Sequence, residues 1–138
     1  MALAIANVTC IAIGGRGLLI EGPPGSGKST LALELIDRGA LLVGDDGVSL
    51  DLRGENLWAA PPPNIAGKLE IRGVGIVDMP CTEVPVALSL LLAADVPRLP
   101  ELGSAEWLGR AIPQLAFVAR GPASAIRAEH ALARFGIA

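Results

Sequence analysis

The chain has 138 residues, 51% of them apolar and 18% charged, with a formal net charge of -3. That balance excludes a disordered chain and argues against a general nucleic-acid footprint, while 3% aromatics and no Tyr argue against a stacking surface for bases. With one histidine, His130, and no apolar run of membrane-spanning length, the expectation is one cytoplasmic domain over residues 1–138, with no membrane or nucleic-acid partner.

The first strand is expected over Val8 to Ile13, a glycine turn at Gly14-Gly15-Arg16-Gly17 and a second strand to Glu21. Gly22-Pro23-Pro24-Gly25-Ser26-Gly27-Lys28-Ser29 follows at once and fits the full GxxxxGK[ST] pattern of a phosphate loop. Gly22, Gly25 and Gly27 let the backbone curl so that its N–H groups face inward as an anion nest. Lys28 sets a positive charge against β and γ phosphates, Ser29 offers a hydroxyl to Mg²⁺, and Thr30 continues into the nucleotide site. The following helix adds its free N–H groups and dipole. Its expected span is Lys28 to Arg38, with Leu31, Ala32 and Leu35 on one face and Gly39 as the stop.

A short strand, Ala40 to Val43, then delivers Asp45 and Asp46. Two adjacent carboxylates at a strand end near a phosphate loop suit Mg²⁺, or one of them suits a proton taken from an attacking hydroxyl; a solvated turn is the plain alternative. Their division of labour is not readable from the pattern. Only about fifteen residues lie between Ser29 and Asp45, less than a GTPase or common ATPase uses, and no guanine-reading NKxD is present.

Val48 to Leu52 and Asn56 to Ala60 read as a hairpin across Arg53-Gly54, and Pro61-Pro62-Pro63 ends regular structure. From Ile65 to Met79 the glycines Gly67, Gly73 and Gly75 break both periodicities. Pro85 to Ala93 is apolar and fits a strand or a helix. Asp95 to Gly103 is a proline-punctuated connection, Leu115 to Ala119 a strand and Ser124 to Phe135 a helix closed by Gly136. Cys10 and Cys81 lack metal-ligand spacing and are expected to be buried thiols; Trp58 and Trp107 are expected to fill core or interface, and His130 to sit on a helix surface.

Two stretches together resemble one family. Glu21 to Ser29 with Leu33 to Gly39 and Leu42 to Asp46, and then Gly67-Lys68-Leu69-Glu70-Ile71-Arg72-Gly73-Val74-Gly75-Ile76, resemble the catalytic domain of HPr kinase/phosphorylase. The match is good from Asn7 to about Val77 and weak from Cys81 onward, and the length resembles the short alphaproteobacterial form. The resemblance implies an α/β P-loop fold like that of phosphoenolpyruvate carboxykinase, with a mixed central sheet. It implies ATP and Mg²⁺ as cofactors. The implied activity is phosphorylation of a serine in HPr or an HPr-like carrier, together with removal of that phosphate by phosphorolysis, which uses inorganic phosphate and releases pyrophosphate. Larger members form hexamers, which leaves a homo-oligomer open. By position, Asp45 matches the general base and Lys28 the phosphate lysine; Ser29, Asp46 and Glu70 match residues near Mg²⁺, and Arg72 matches the signature arginine. From the residues alone, the preferred readings are a surface charge for Glu70 and a structural ion pair with it for Arg72.

The chain departs from the family at Asn7, where a histidine is usual, at Pro24, where a serine is usual, and in the C-terminal arginine loop, whose nearest counterpart is Arg120. Two alternatives stay open: a kinase for another acceptor, and a nucleotide-binding regulator with little turnover.

Overall fold

The computed structural model describes residues 2–138. In chain order the elements are β1 (Leu3–Ala6), β2 (Thr9–Ile13), β3 (Arg16–Glu21), α1 (Lys28–Asp37), β4 (Leu41–Gly44), β5 (Gly47–Arg53) and β6 (Asn56–Ala60). They are followed by β7 (Lys68–Ile71), β8 (Gly75–Asp78), β9 (Val84–Leu92), β10 (Gly103–Trp107), β11 (Arg110–Phe117) and α2 (Ser124–Phe135). Nine strands form one mixed, curled sheet in the order β1-β5-β6-β9-β3-β2-β4, with β11 also against β9 and β10 beyond it; β7 and β8 pair apart.

The organising strand is β9. Its residues Val84 to Leu92 are apolar almost throughout, as a strand buried on both faces must be. One edge pairs in parallel with β3. The other is divided: Val84 and Pro85 pair with β6, and Ser89 to Leu92 pair in parallel with β11. The Pro85 to Ala93 stretch is therefore strand, settled by three partners from distant parts of the chain. Gly17 on β3 is needed for the approach, since a Cβ there would lie 2.9 Å from Val84 Cγ1 and 3.0 Å from the Pro85 carbonyl.

Alternate residues of β3 feed two cores, as a period of two requires. Leu18 and Ile20 pack with Leu31 and Leu35 of α1 and with Ala128 and Leu132 of α2. Leu19 packs on the other face with Val48, Leu50 and Leu57, where β5 and β6 curl over the sheet. Helix α1 stops as expected: Gly39 takes φ +106, its N–H reaches the Ile36 carbonyl, and the Ala40 N–H reaches the Leu35 carbonyl.

Three expectations change. Ile65 to Met79 holds a hairpin, in which Gly73 (φ +81) and Gly75 (φ +124) make the reversal between β7 and β8; the glycines shape the turn and do not abolish the strands. Strands β1 and β10 were not foreseen, and β11 begins at Arg110, ahead of the expected Leu115. Asn7 lies between β1 and β2 with φ +66.

The curl also makes the corner that matters for function. The chain leaves β4, which pairs with β2, and enters β5, which pairs with β1, through Asp45 and Asp46 alone. Gly44 permits this: a Cβ there would lie 2.1 Å from the Gly47 carbonyl oxygen.

Candidate active site

The loop between β3 and α1 is shaped by Gly25 (φ +80) and Gly27 (φ +100), conformations that L side chains rarely adopt. Gly27 precedes α1, and no side chain caps the helix N-terminus, so its first N–H groups stay available to an anion. Lys28 is 8% exposed. Its Nζ donates to the Gly22 carbonyl at 2.8 Å and to the Pro23 carbonyl at 3.3 Å, which holds the ammonium across the loop.

Asp45, also 8% exposed, sits against this loop. Its Oδ1 accepts from the Ser29 hydroxyl at 2.6 Å and from the Thr9 hydroxyl at 3.2 Å; its Oδ2 accepts from the Glu70 backbone N–H at 3.3 Å. A buried carboxylate needs such donors to offset lost hydration. Asp46 differs from it: it is exposed, at φ +58. Its N–H donates to Thr9 Oγ1 at 3.1 Å and its carbonyl accepts from the Asn7 N–H at 3.1 Å.

Loop, aspartate corner and hairpin face one cavity of about 630 Å³. Among the expected site residues, Pro24, Gly25, Gly27, Lys28, Ser29 and Thr30 line it from the loop side. Asp45, Asp46, Glu70 and Arg72 line it opposite, and Asn7 joins them. Gly22, Pro23 and Ser26 shape the loop from behind without lining the cavity. Glu70 and Arg72 are exposed, and among the described residues neither forms an ion pair, so the expected pairing of the two is absent.

The oxygen donors lining the cavity are the Ser29 and Thr30 hydroxyls and the carboxylates of Asp45, Asp46 and Glu70. Such a set suits Mg²⁺, which keeps several waters and shares phosphate oxygens, so a full protein cage is not required. Among the described residues no three acidic, histidine or cysteine side chains converge as a ready cage. Thr9 is the site residue that sequence reasoning missed. Its one signal was a hydroxyl in an otherwise apolar strand, Val8 to Ile13.

Other expectations resolve away from the cavity. Cys10 is buried, and burial pushes its thiol up to about 12 from 9.0. Cys81 is exposed, contrary to the expected buried thiol: it follows the β7–β8 hairpin outside any strand and is tied to the sheet by an isolated bridge to Leu42. His130 is exposed on α2 as expected. Trp107 packs half-buried against the second core, and Trp58 lies under the Arg53 guanidinium at 4.6 Å. Asp78 is exposed and pairs with Lys68. Arg120 donates to the Ala94 carbonyl and does not line the cavity. Among the described residues no helix is long and apolar enough to cross a membrane.

A family model described as HPr serine kinase C-terminal domain matches residues 3–82. HPr kinase/phosphorylase of Streptococcus thermophilus is 50% identical over 66 residues, covering 47% of this chain and 21% of that protein. The Streptococcus sanguinis protein of the same name is 48% identical over the same length and shares. The chain thus spans about a fifth of the length of these curated relatives. Among solved structures, the Hpr(Ser) kinase/phosphatase from Coxiella burnetii superposes with a TM-score of 0.72 at 30% identity, covering 83% of this chain and 85% of that one.

Proposed function

This chain belongs to the HPr serine kinase C-terminal domain family, and from that premise we propose that it is a P-loop kinase unit of the phosphoenolpyruvate carboxykinase-like kind that transfers the γ-phosphoryl of ATP to a serine of HPr or an HPr-like carrier. The observation that carries this reading is the meeting of three separate segments in one cavity: the phosphate loop, the buried Asp45 beside exposed Asp46, and the Glu70–Arg72 edge of the hairpin.

The loop N–H groups and Lys28 bind the β and γ phosphates and meet the charge that spreads over the equatorial oxygens in transfer. Asp45 takes the proton from the acceptor serine as its oxygen bonds to phosphorus and the bridging bond to ADP breaks. With Oδ1 already accepting two hydroxyls, Oδ2, which has only the long Glu70 N–H contact, is the oxygen free to receive that proton. Ser29, Asp46 and Glu70 would hold Mg²⁺, which supplies Lewis-acid neutralisation of the phosphates. Arg72 steadies phosphate charge at the mouth. Phosphorolysis uses the same positions with a different partner: an oxygen of inorganic phosphate bonds to the phosphoserine phosphorus, the bond to the serine oxygen breaks, pyrophosphate leaves, and Asp45 returns the proton to that serine oxygen.

Asp45→Asn keeps shape and removes the base. Transfer of label from ATP to HPr should fall by about 10²- to 10⁴-fold, with nucleotide affinity kept. Undiminished transfer sinks the assignment. The 2.6 Å Ser29–Asp45 contact favours a second reading, in which Asp45 backs the metal's serine and Asp46 takes the proton. In that case Asp45→Asn would weaken Mg²⁺-ATP binding, and Asp46→Asn would remove transfer while binding persists. Tight Mg²⁺-ATP binding by the unaltered chain, with no transfer to HPr, would point to the regulator.

A further inference from the structure

We propose that Thr9 is a positioning residue for the transfer reaction, the single side chain that locks both aspartates of the β4–β5 corner; this rests on the reading of Asp45 as base. Thr9 opens β2 and is 0% exposed. A buried hydroxyl must find partners, and this one finds two with opposite roles. Its oxygen accepts from the Asp46 N–H at 3.1 Å, and its proton goes to Asp45 Oδ1 at 3.2 Å. Because the oxygen is occupied by the amide, the proton is directed at the carboxylate, and the order is fixed as Asp46 N–H to Thr9 O–H to Asp45.

Two consequences follow at the cavity. Thr9 and Ser29 both hold Oδ1, so the carboxylate cannot rotate to present that oxygen, and Oδ2 alone is left toward the acceptor. Asp46 stands at φ +58, a conformation a non-glycine residue keeps only when its surroundings over-determine it. The Thr9 hydroxyl on its N–H and the Asn7 N–H on its carbonyl do so, and they turn its side chain outward, away from the buried position of Asp45. The corner is thus pinned from β2, a strand that itself lies between β3, which leads into the phosphate loop, and β4. Thr9 does not line the cavity and touches no reactant; it acts through its two neighbours.

Thr9→Val preserves volume and deletes the hydroxyl, Thr9→Ala deletes it with a different volume, and Thr9→Ser restores it. For both deletions kcat for phosphoryl transfer to HPr should fall roughly 10- to 100-fold, the usual effect of removing an orienting partner, with KM for Mg²⁺-ATP within about twofold. Thr9→Ser should recover kcat to within about threefold. Independently of activity, the Asp46 amide proton should exchange with solvent faster in Thr9→Val and return to the wild-type rate in Thr9→Ser. Unchanged amide exchange and unchanged kcat in the deletions, with Asp45→Asn still inactive, would overturn the role of Thr9 and leave the base assignment standing. Full transfer by Asp45→Asn would instead overturn the base reading. A loss in Thr9→Val that Thr9→Ser does not recover would mark packing, not hydrogen bonding, and would also overturn the proposal. If Thr9→Val fails to fold, Thr9→Ala and Thr9→Ser carry the same comparison.

Discussion

Cys10 and Cys81 are the same chemical group in opposite surroundings. Cys10 lies within the second core at 0% exposure, so its thiolate is disfavoured by lost hydration and its thiol is raised to about 12. Cys81 is exposed. A disulfide-exchange reagent at pH 8 should titrate about one thiol per native chain and two after denaturation, because only Cys81 can be reached. The linkage has a definite sign. The folded thiol keeps its proton while the unfolded one loses it from about 9 upward, so the folded state binds more protons between 9 and 12 and stability declines as pH rises through that window. The slope from this group is at most about 1.4 kcal/mol per pH unit. Replacing Cys10 by Ser, read by denaturant midpoints at pH 8 and pH 10, should flatten that part of the pH dependence; an unchanged dependence would mean the group does not contribute.

Two turns show how an element depends on a missing Cβ. Gly39 ends α1 at φ +106 in open space, so Gly39→Ala meets only backbone strain and should cost about 1 kcal/mol. At Gly44 the added Cβ would lie 2.1 Å from the Gly47 carbonyl, a backbone atom that cannot step aside without moving β5. Gly44→Ala should therefore cost several times more in urea unfolding, and should depress nucleotide binding even where the chain folds, since Asp45 and Asp46 are the residues that move. Equal destabilisation by the two substitutions would refute the account. The phosphate loop, α1 and its glycine stop, the β5–β6 hairpin and α2 are all legible in sequence because each is decided by neighbours in the chain: turn glycines, a 3.6-residue apolar face, a capping geometry. The β7–β8 hairpin is not legible in the same way, because glycine counts against a strand by propensity while Gly73 (φ +81) and Gly75 (φ +124) supply the reversal between two.

At the scale of the molecule, the sheet is shared by two cores: their residues alternate along β3, and along β9 Val84 and Val86 belong to one and Ala87, Leu88, Leu90 and Leu92 to the other. Damage to either should reach the other through those strands. Leu90→Ala in the helix-side core and Leu50→Ala in the opposite core, both 0% exposed, should each cost about 2–5 kcal/mol. Each should give one transition in which circular dichroism and nucleotide protection are lost together; separate transitions would show the two halves to be independent. The sequence by itself determined that a loop of the GxxxxGK[ST] pattern precedes a helix, that two carboxylates follow after one short strand, and, through these and the Gly67–Ile76 stretch together, which family the chain resembles. Those features are short-range, and the backbone chemistry of glycine and the charge of Lys28 act where they stand. Tertiary structure alone decided that β9 is the central strand, that Asp45 is buried while Asp46 faces solvent, and that Thr9 joins them. Strand order, burial and a hydrogen bond spanning 36 positions arise from pairing between distant segments, and no local pattern along Thr9 to Ile13 or Leu41 to Gly44 specifies which segment will lie alongside.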